Sequence, residues 1–336
     1  MGNERVSAIM DASRAKVDER LIQSFDFNAA QQNELIFFFK PGCFNAAEHG
    51  HVQDIVELGL KELQDYNVTI SGTLLLSGSR LEELEIMDRH YGYINRLSKQ
   101  ASKILHDDDF QHIYDELGIT SGTETYQVLG GHEFLQQFPD YDAARLQTLW
   151  VSKHSHKLRS GFYIQEYEIS DRHVILVNGF HPSQLAFFTD PTHKITLLLL
   201  HSDTNWHDLK YDMVGDTFPE NAKVDSIRGE LYNHHERYGL QEVTVSNNMV
   251  HLSAGPFEAM FEVYNFLHAI PSLNFELPRT NMGRLMHAKG LTDADIEACL
   301  NNPVTSIDGE DVDLFTLTED KNSNDAIDLY IKHFTS

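Results

Sequence analysis

Residues 246–262 read SNNMVHLSAGPFEAMFE and place a histidine at the end of a short apolar run, directly before a Ser-Ala-Gly-Pro turn. A neutral imidazole is a nucleophile that needs no prior ionisation. It attacks productively when one ring nitrogen keeps its lone pair and the other is held as N–H by an acceptor behind the ring. His251 stands at the seam of a strand and a helical pattern, and that pattern carries two carboxylates, Glu258 and Glu262. Gly255 and Pro256 suit an N-cap and a first helical residue, with Glu258 placed as in a capping box. Glu262 then falls near the end of the second turn. Asn248 and Ser253 flank the histidine at offsets of −3 and +2.

The bulk properties narrow the partners. The 336-residue chain has a formal net charge of −25, so free nucleic acid and anionic membrane surfaces are repelled and are not expected as partners. Any phosphate ligand must be held by local cations. A hydrophobic content of 41% suffices for the core of one large or two ordinary domains. Apolar runs such as ITLLLL and LIFFF end far short of a membrane span, and the polar N-terminus lacks a signal-peptide pattern, so a cytoplasmic location is expected. Val6 stands where a myristoylation start asks for Ser or Thr. Cys43 and Cys299 lie far apart with no CxxC spacing, which points to free thiols.

Periodicity supplies the elements that must position these residues. Residues 1–32 read as a polar, weakly helical extension. NELIFFFK reads as a buried strand stopped by Pro41-Gly42, HVQDIVELGLKEL as a helix, and NVTISGTLLLS as a strand. RLEELEIMDRHYGYINRLSKQASKIL is helical, and the like-charge run HDDDF reads as its solvated end. Residues 110–160 read as helix or loop, followed by a hairpin around Ser170-Asp171. KITLLLLHS is a buried strand, NWHDLKYDMVG a short helix, LQEVTVSNNMVH a last strand, and PFEAMFEVYNFLH a helix. Set apart from the hairpin region, this order suggests an α+β, ferredoxin-like split βαβ antiparallel sheet with helices. The expected division is an extension (1–32), a core (33–97 and 192–270), a helical and hairpin insertion (98–191) and a C-terminal extension (271–336). His154, His156, His234 and His235 lack partners at metal-ligand spacing and read as loop residues.

Five motifs, in order, resemble the nucleoside diphosphate kinase family: Lys40-Pro41-Gly42, His90-Tyr91, Gly215-Asp216-Thr217-Phe218-Pro219, Ser226-Ile227-Arg228-Gly229-Glu230, and Asn248-Met249-Val250-His251-Leu252-Ser253 with Glu262. The resemblance spans residues 33–97 and 192–268, less than half of the chain. It implies transfer of the γ-phosphate of a nucleoside triphosphate to a nucleoside diphosphate through a phosphohistidine at His251. It makes Glu262 the acceptor behind the ring and Lys40 and Arg228 the cations on the phosphates. Tyr91 and Thr217 become hydroxyl donors, Asn248 reaches toward the ribose, and Mg²⁺ arrives on the nucleotide phosphates. A homo-oligomer is also implied, although the insertion could block the family's contacts.

The chain departs from the family at several points. Tyr211, beside Lys210, stands where a second phosphate-binding arginine is expected, so either the lysine substitutes or a cation is missing. Leu252 and Ala254 replace Gly and Asp, and no Pro-Phe-Phe base clamp comes after Tyr91. A second reading of the same residues is therefore a nucleotide-binding or protein-interaction module that has lost turnover.

Overall fold

A computed structural model describes residues 2–45, 48–119, 126–159 and 161–335. The chain is of mixed α+β class and divides into two compact units, one of residues 1–84 and 191–336 and the other of residues 85–190. In chain order the strands among the described residues are β1 (Glu19–Gln23), β2 (Asn33–Phe39), β3 (Thr69–Ser77), β4 (Tyr126–Gly130), β5 (His156–Arg159), β6 (Phe162–Ile169), β7 (Arg172–Val177), β8 (Lys194–Ser202), β9 (Val250–Leu252), β10 (Val304–Ile307) and β11 (Glu310–Asp313).

The first unit is built on a five-stranded sheet in the order β1-β3-β8-β2-β9, antiparallel throughout. Every residue of β2 is buried, which explains why its sequence is a continuous apolar run instead of an alternating one. Leu35, Phe37 and Phe39 share a core with Ile55, Val56 and Leu63 of the His49–Asp65 helix, and with Ile227 and Leu231 of the Ile227–Asn233 helix. Phe38 takes the other face, where it meets Phe266 of the Pro256–Leu267 helix with ring centroids 5.8 Å apart. The stretch expected as a long last strand forms only the three residues of β9. Asn247 and Thr244 close a turn before it, and Met249 adopts a left-handed φ of 66°. The expected polar helical extension is a Gly2–Arg14 helix succeeded by β1.

The C-terminal segment belongs to this unit. Its residues Leu277, Met282, Met286, Ile296, Leu314, Ile327 and Tyr330 form a second core with Phe257 and Met260 of the Pro256–Leu267 helix. A polar hub ties it to the start of β2. Buried Asn33 donates to Thr204 O (3.0 Å) and Asn322 Oδ1 (2.9 Å), and accepts from the Ser323 N–H (2.9 Å).

The second unit carries the sheet β4-β7-β6-β5, with β4 and β7 parallel and the other pairs antiparallel. The expected hairpin is β6–β7, turned by Ser170 and Asp171 at φ of 50° and 60°. HDDDF does not end a helix. His106 is an N-cap and the three aspartates occupy the first turn of the Asp107–Leu117 helix, where carboxylates favour the positive end of the helix dipole.

Asn33→Leu removes the hub and leaves buried partners on two segments unsatisfied. It is expected to cost about 2–4 kcal/mol, read as a lower denaturation midpoint. A loss below about 0.5 kcal/mol would show that the hub is solvated and does not hold the C-terminal segment to β2.

Candidate functional site

Pairing between β2 and β9 sets the geometry of the histidine. Phe38 and His251 are direct partners in the register, so their side chains share a face, and the two rings stack with centroids 4.4 Å apart and planes 16° off parallel. Behind the ring, His251 Nε2 lies 2.7 Å from Glu262 Oε1. Gly255 and Pro256 start the helix as N-cap and N1, which brings the second helical turn back over the strand end. Ser253, two residues beyond the histidine and so on the same strand face, donates its hydroxyl to Glu262 Oε2 and accepts from the Ile36 N–H at 3.0 Å. Trp206 Nε1 donates to Ser253 O at 3.0 Å. The fully buried Glu262 carboxylate thus has one oxygen for the imidazole and one for the serine.

The tautomer that fits this arrangement carries its proton on Nε2 and its lone pair on Nδ1. Burial pushes the His251 pKa well below the ordinary histidine value, and the Lys40 and Arg228 charges push it further in the same direction. The ring is therefore neutral near pH 7.

Three loops bring the cations to the same place. Pro41 ends β2 because it lacks a donor, and Lys40 caps the short Pro41–Phe44 helix. Lys40 Nζ donates to Asn248 Oδ1 at 2.6 Å, and Asn248 Nδ2 donates to Thr217 O at 3.0 Å. Arg228 Nη1 and Nη2 donate to Gly215 O (2.8 Å) and Val250 O (2.9 Å), while its buried Nε has no partner among the described residues. Two glycines make room for this. Gly215 has φ +97°, and a Cβ there would lie 2.4 Å from Ser226 Oγ; a Cβ on Gly229 would lie 1.8 Å from Lys223 O. Burial lowers the Lys40 pKa to about 7, helped by the Arg228 charge, and burial lowers that of Arg228 to about 10.

The sequence-predicted residues thus divide. His251, Glu262, Lys40, Arg228 and Asn248 share one hydrogen-bonded and electrostatic cluster, and Thr217 joins it through its carbonyl while its side chain lies on an exposed residue. Tyr91 belongs to the second unit, where it ends the Ile86–His90 helix with its ring 4.7 Å from that of His90 and 5.9 Å from that of His181. Lys210 is engaged by carboxylates of the C-terminal segment. Its ammonium is ion-paired with Glu319 (2.6 Å) and Asp320 (2.7 Å), and the Tyr211 hydroxyl donates to Asp320. Phe38 and Trp206 escape a reading of the sequence. A signal for Phe38 exists, since strand pairing places it opposite His251, but the short β9 hides the register. No family model, curated protein or solved structure matches this chain.

Lys40 yields a signed pH effect. Between its folded value near 7 and the ordinary lysine value of 10.5, the unfolded chain binds more protons than the native one, so stability from this group rises with pH. The penalty for burying its charge is full below pH 7 and is relieved above it. Lys40→Met is therefore expected to raise the thermal midpoint more at pH 6 than at pH 9, by a difference of about 4 °C or more. An equal shift at both pH values would contradict the buried, charged lysine.

Proposed function

We propose that this protein is a phosphotransferase of nucleoside diphosphate kinase type, working on a ferredoxin-like sheet. The strand order β3-β8-β2-β9, with a helix between β2 and β3 and another between β8 and β9, supports that fold reading. The observation that carries the function is the Nε2–Glu262 bond of a neutral, partly exposed histidine, flanked by a buried lysine and a buried arginine in a chain of net charge −25. Buried cations facing a nucleophile are costly for a structural role and fit a ligand that brings negative charge.

In the proposed reaction the Nδ1 lone pair attacks the γ-phosphorus of a magnesium-bound nucleoside triphosphate. The bond to the β,γ-bridging oxygen breaks, and the diphosphate leaves with its electrons. Nδ1 carries no proton, so none has to be removed, and the positive character on the ring is met by Glu262 through Nε2–H. Lys40 and Arg228 neutralise the transferring group, whose catalysis is chiefly positioning and charge stabilisation. A second nucleoside diphosphate then takes the phosphate by the reverse step. Lys210, engaged by Glu319 and Asp320, favours the alternative of nucleotide binding without turnover, and the two readings separate by experiment.

Incubation with γ-labelled ATP should place an acid-labile phosphate on His251. His251→Ala should abolish the label, and Glu262→Gln should slow its formation about 10- to 100-fold with nucleotide affinity nearly unchanged. Nucleotide binding by calorimetry without label would favour the binding module.

Lys40 adds a binding signature. Phosphate beside the ammonium should restore its proton, so at pH 8 calorimetry in buffers of different ionisation enthalpy should report uptake of up to about one proton per nucleotide bound. Lys40→Arg should remove most of that uptake. Unchanged uptake in the variant would move the proton to another group.

A further inference from the structure

Glu262 holds the imidazole by one edge, and Phe38 covers one of its faces. The hydrogen bond at Nε2 fixes one point of the ring but leaves it free to tilt about that bond, so a second contact is needed to aim Nδ1. The stack on Phe38 supplies it, with ring centroids 4.4 Å apart and planes 16° off parallel. Phe38 is itself held firmly. It is fully buried, it pairs in register with Leu197 on one side and His251 on the other, and its ring meets that of Phe266 at 5.8 Å and 55°. Phe266 and Glu262 are four residues apart on the Pro256–Leu267 helix, so one helix face both backs the phenyl ring and supplies the acceptor for the imidazole. An aliphatic side chain can fill this face of β2, as Ile36 does two residues earlier. Only an aromatic residue presents a negative ring face to the histidine.

We infer that Phe38 is a positioning residue for His251 that acts through its ring face: it holds the imidazole plane against tilt and stabilises that ring once it becomes cationic. The consequence for nucleotide turnover rests on the phosphohistidine reading, whereas the effect on the ring does not. When Nδ1 bonds to phosphorus while Nε2 keeps its proton, both ring nitrogens are substituted and the ring carries a positive charge. Its centroid then lies 4.4 Å from that of the phenyl ring, inside the range of about 6 Å over which a cation is attracted to an aromatic face. The Lys40 and Arg228 charges oppose a cationic ring. Glu262 answers that charge at the ring edge, and Phe38 answers it at the ring face.

Replacing Phe38 in the full chain by monofluoro-, difluoro- and trifluoro-phenylalanine nearly keeps the shape of the ring and withdraws the negative charge of its face step by step. With ATP and ADP at a fixed ratio, the ratio of phosphorylated to free His251 should fall along the series, by about 2- to 5-fold in all, with nucleotide affinity nearly unchanged. Phosphoramidate gives a second reading that needs no nucleotide: Nδ1 attacks its phosphorus, the P–N bond breaks with its electrons on nitrogen, and ammonia leaves. The rate of that labelling should fall along the same series. Phe38→Leu removes the aromatic face and the restraint on tilt together, and should slow labelling by about 10-fold or more with either donor. A flat fluorine series with whichever donor labels His251 would overturn the role of the ring face, and a full rate in Phe38→Leu would overturn the positioning. A falling series with phosphoramidate but no label from ATP would overturn the nucleotide reading and leave the inference standing. No label on His251 from either donor would overturn both.

Discussion

The pairing of β9 with β2 is the constraint on which the rest depends. Only three residues of β9 pair, yet they set Phe38 against His251, Val250 against Phe39 and Leu252 against Phe37. One register step would turn His251 into the core beneath the His49–Asp65 helix and its apolar neighbours toward Glu262. The register is anchored at both ends. Lys40 N–H donates to Met249 O at 2.8 Å, and Ser253 N–H donates to Ile36 O at 3.0 Å. The left-handed Met249 is the conformational cost of this turn, an unusual setting for a bulky side chain, and its carbonyl is held by the Lys40 N–H and by Cys43 Sγ.

That register sets the electrostatics. Glu262 is buried and would be expensive alone, but the histidine and serine satisfy its oxygens. Lys40 and Arg228 are buried without a carboxylate bonded to either among the described residues, and their donors are spent on Asn248 and on backbone carbonyls. The first unit thus stores positive charge beside a neutral imidazole.

Much of the core and of the site is legible in the sequence because it is local. β2, β3 and β8 are apolar runs bounded by Pro, Gly or polar residues, and the His251–Glu262 spacing needs only a strand end, a Gly-Pro start and two helical turns. The features that escape it are long-range or depend on pairing. The Lys210 contacts with Glu319 and Asp320 join residues more than a hundred positions apart, and no local pattern announces them. The stack of Phe38 on His251 depends on a register that a three-residue strand barely signals. HDDDF is ambiguous by composition, because like charges repel in a turn but are favoured at a helix start. The helical run from Phe110 to Leu117 decides between the two.

Glu262 aims the His251 ring with its proton on Nε2, while burial and the Lys40 and Arg228 charges keep that ring neutral. The most direct measurement is the ¹⁵N spectrum of the imidazole in the nucleotide-free protein at pH 7. The expected spectrum has an N–H signal at Nε2 and a lone-pair signal at Nδ1, with that tautomer preference lost in Glu262→Ala. An imidazolium, or a ring protonated on Nδ1, would contradict it.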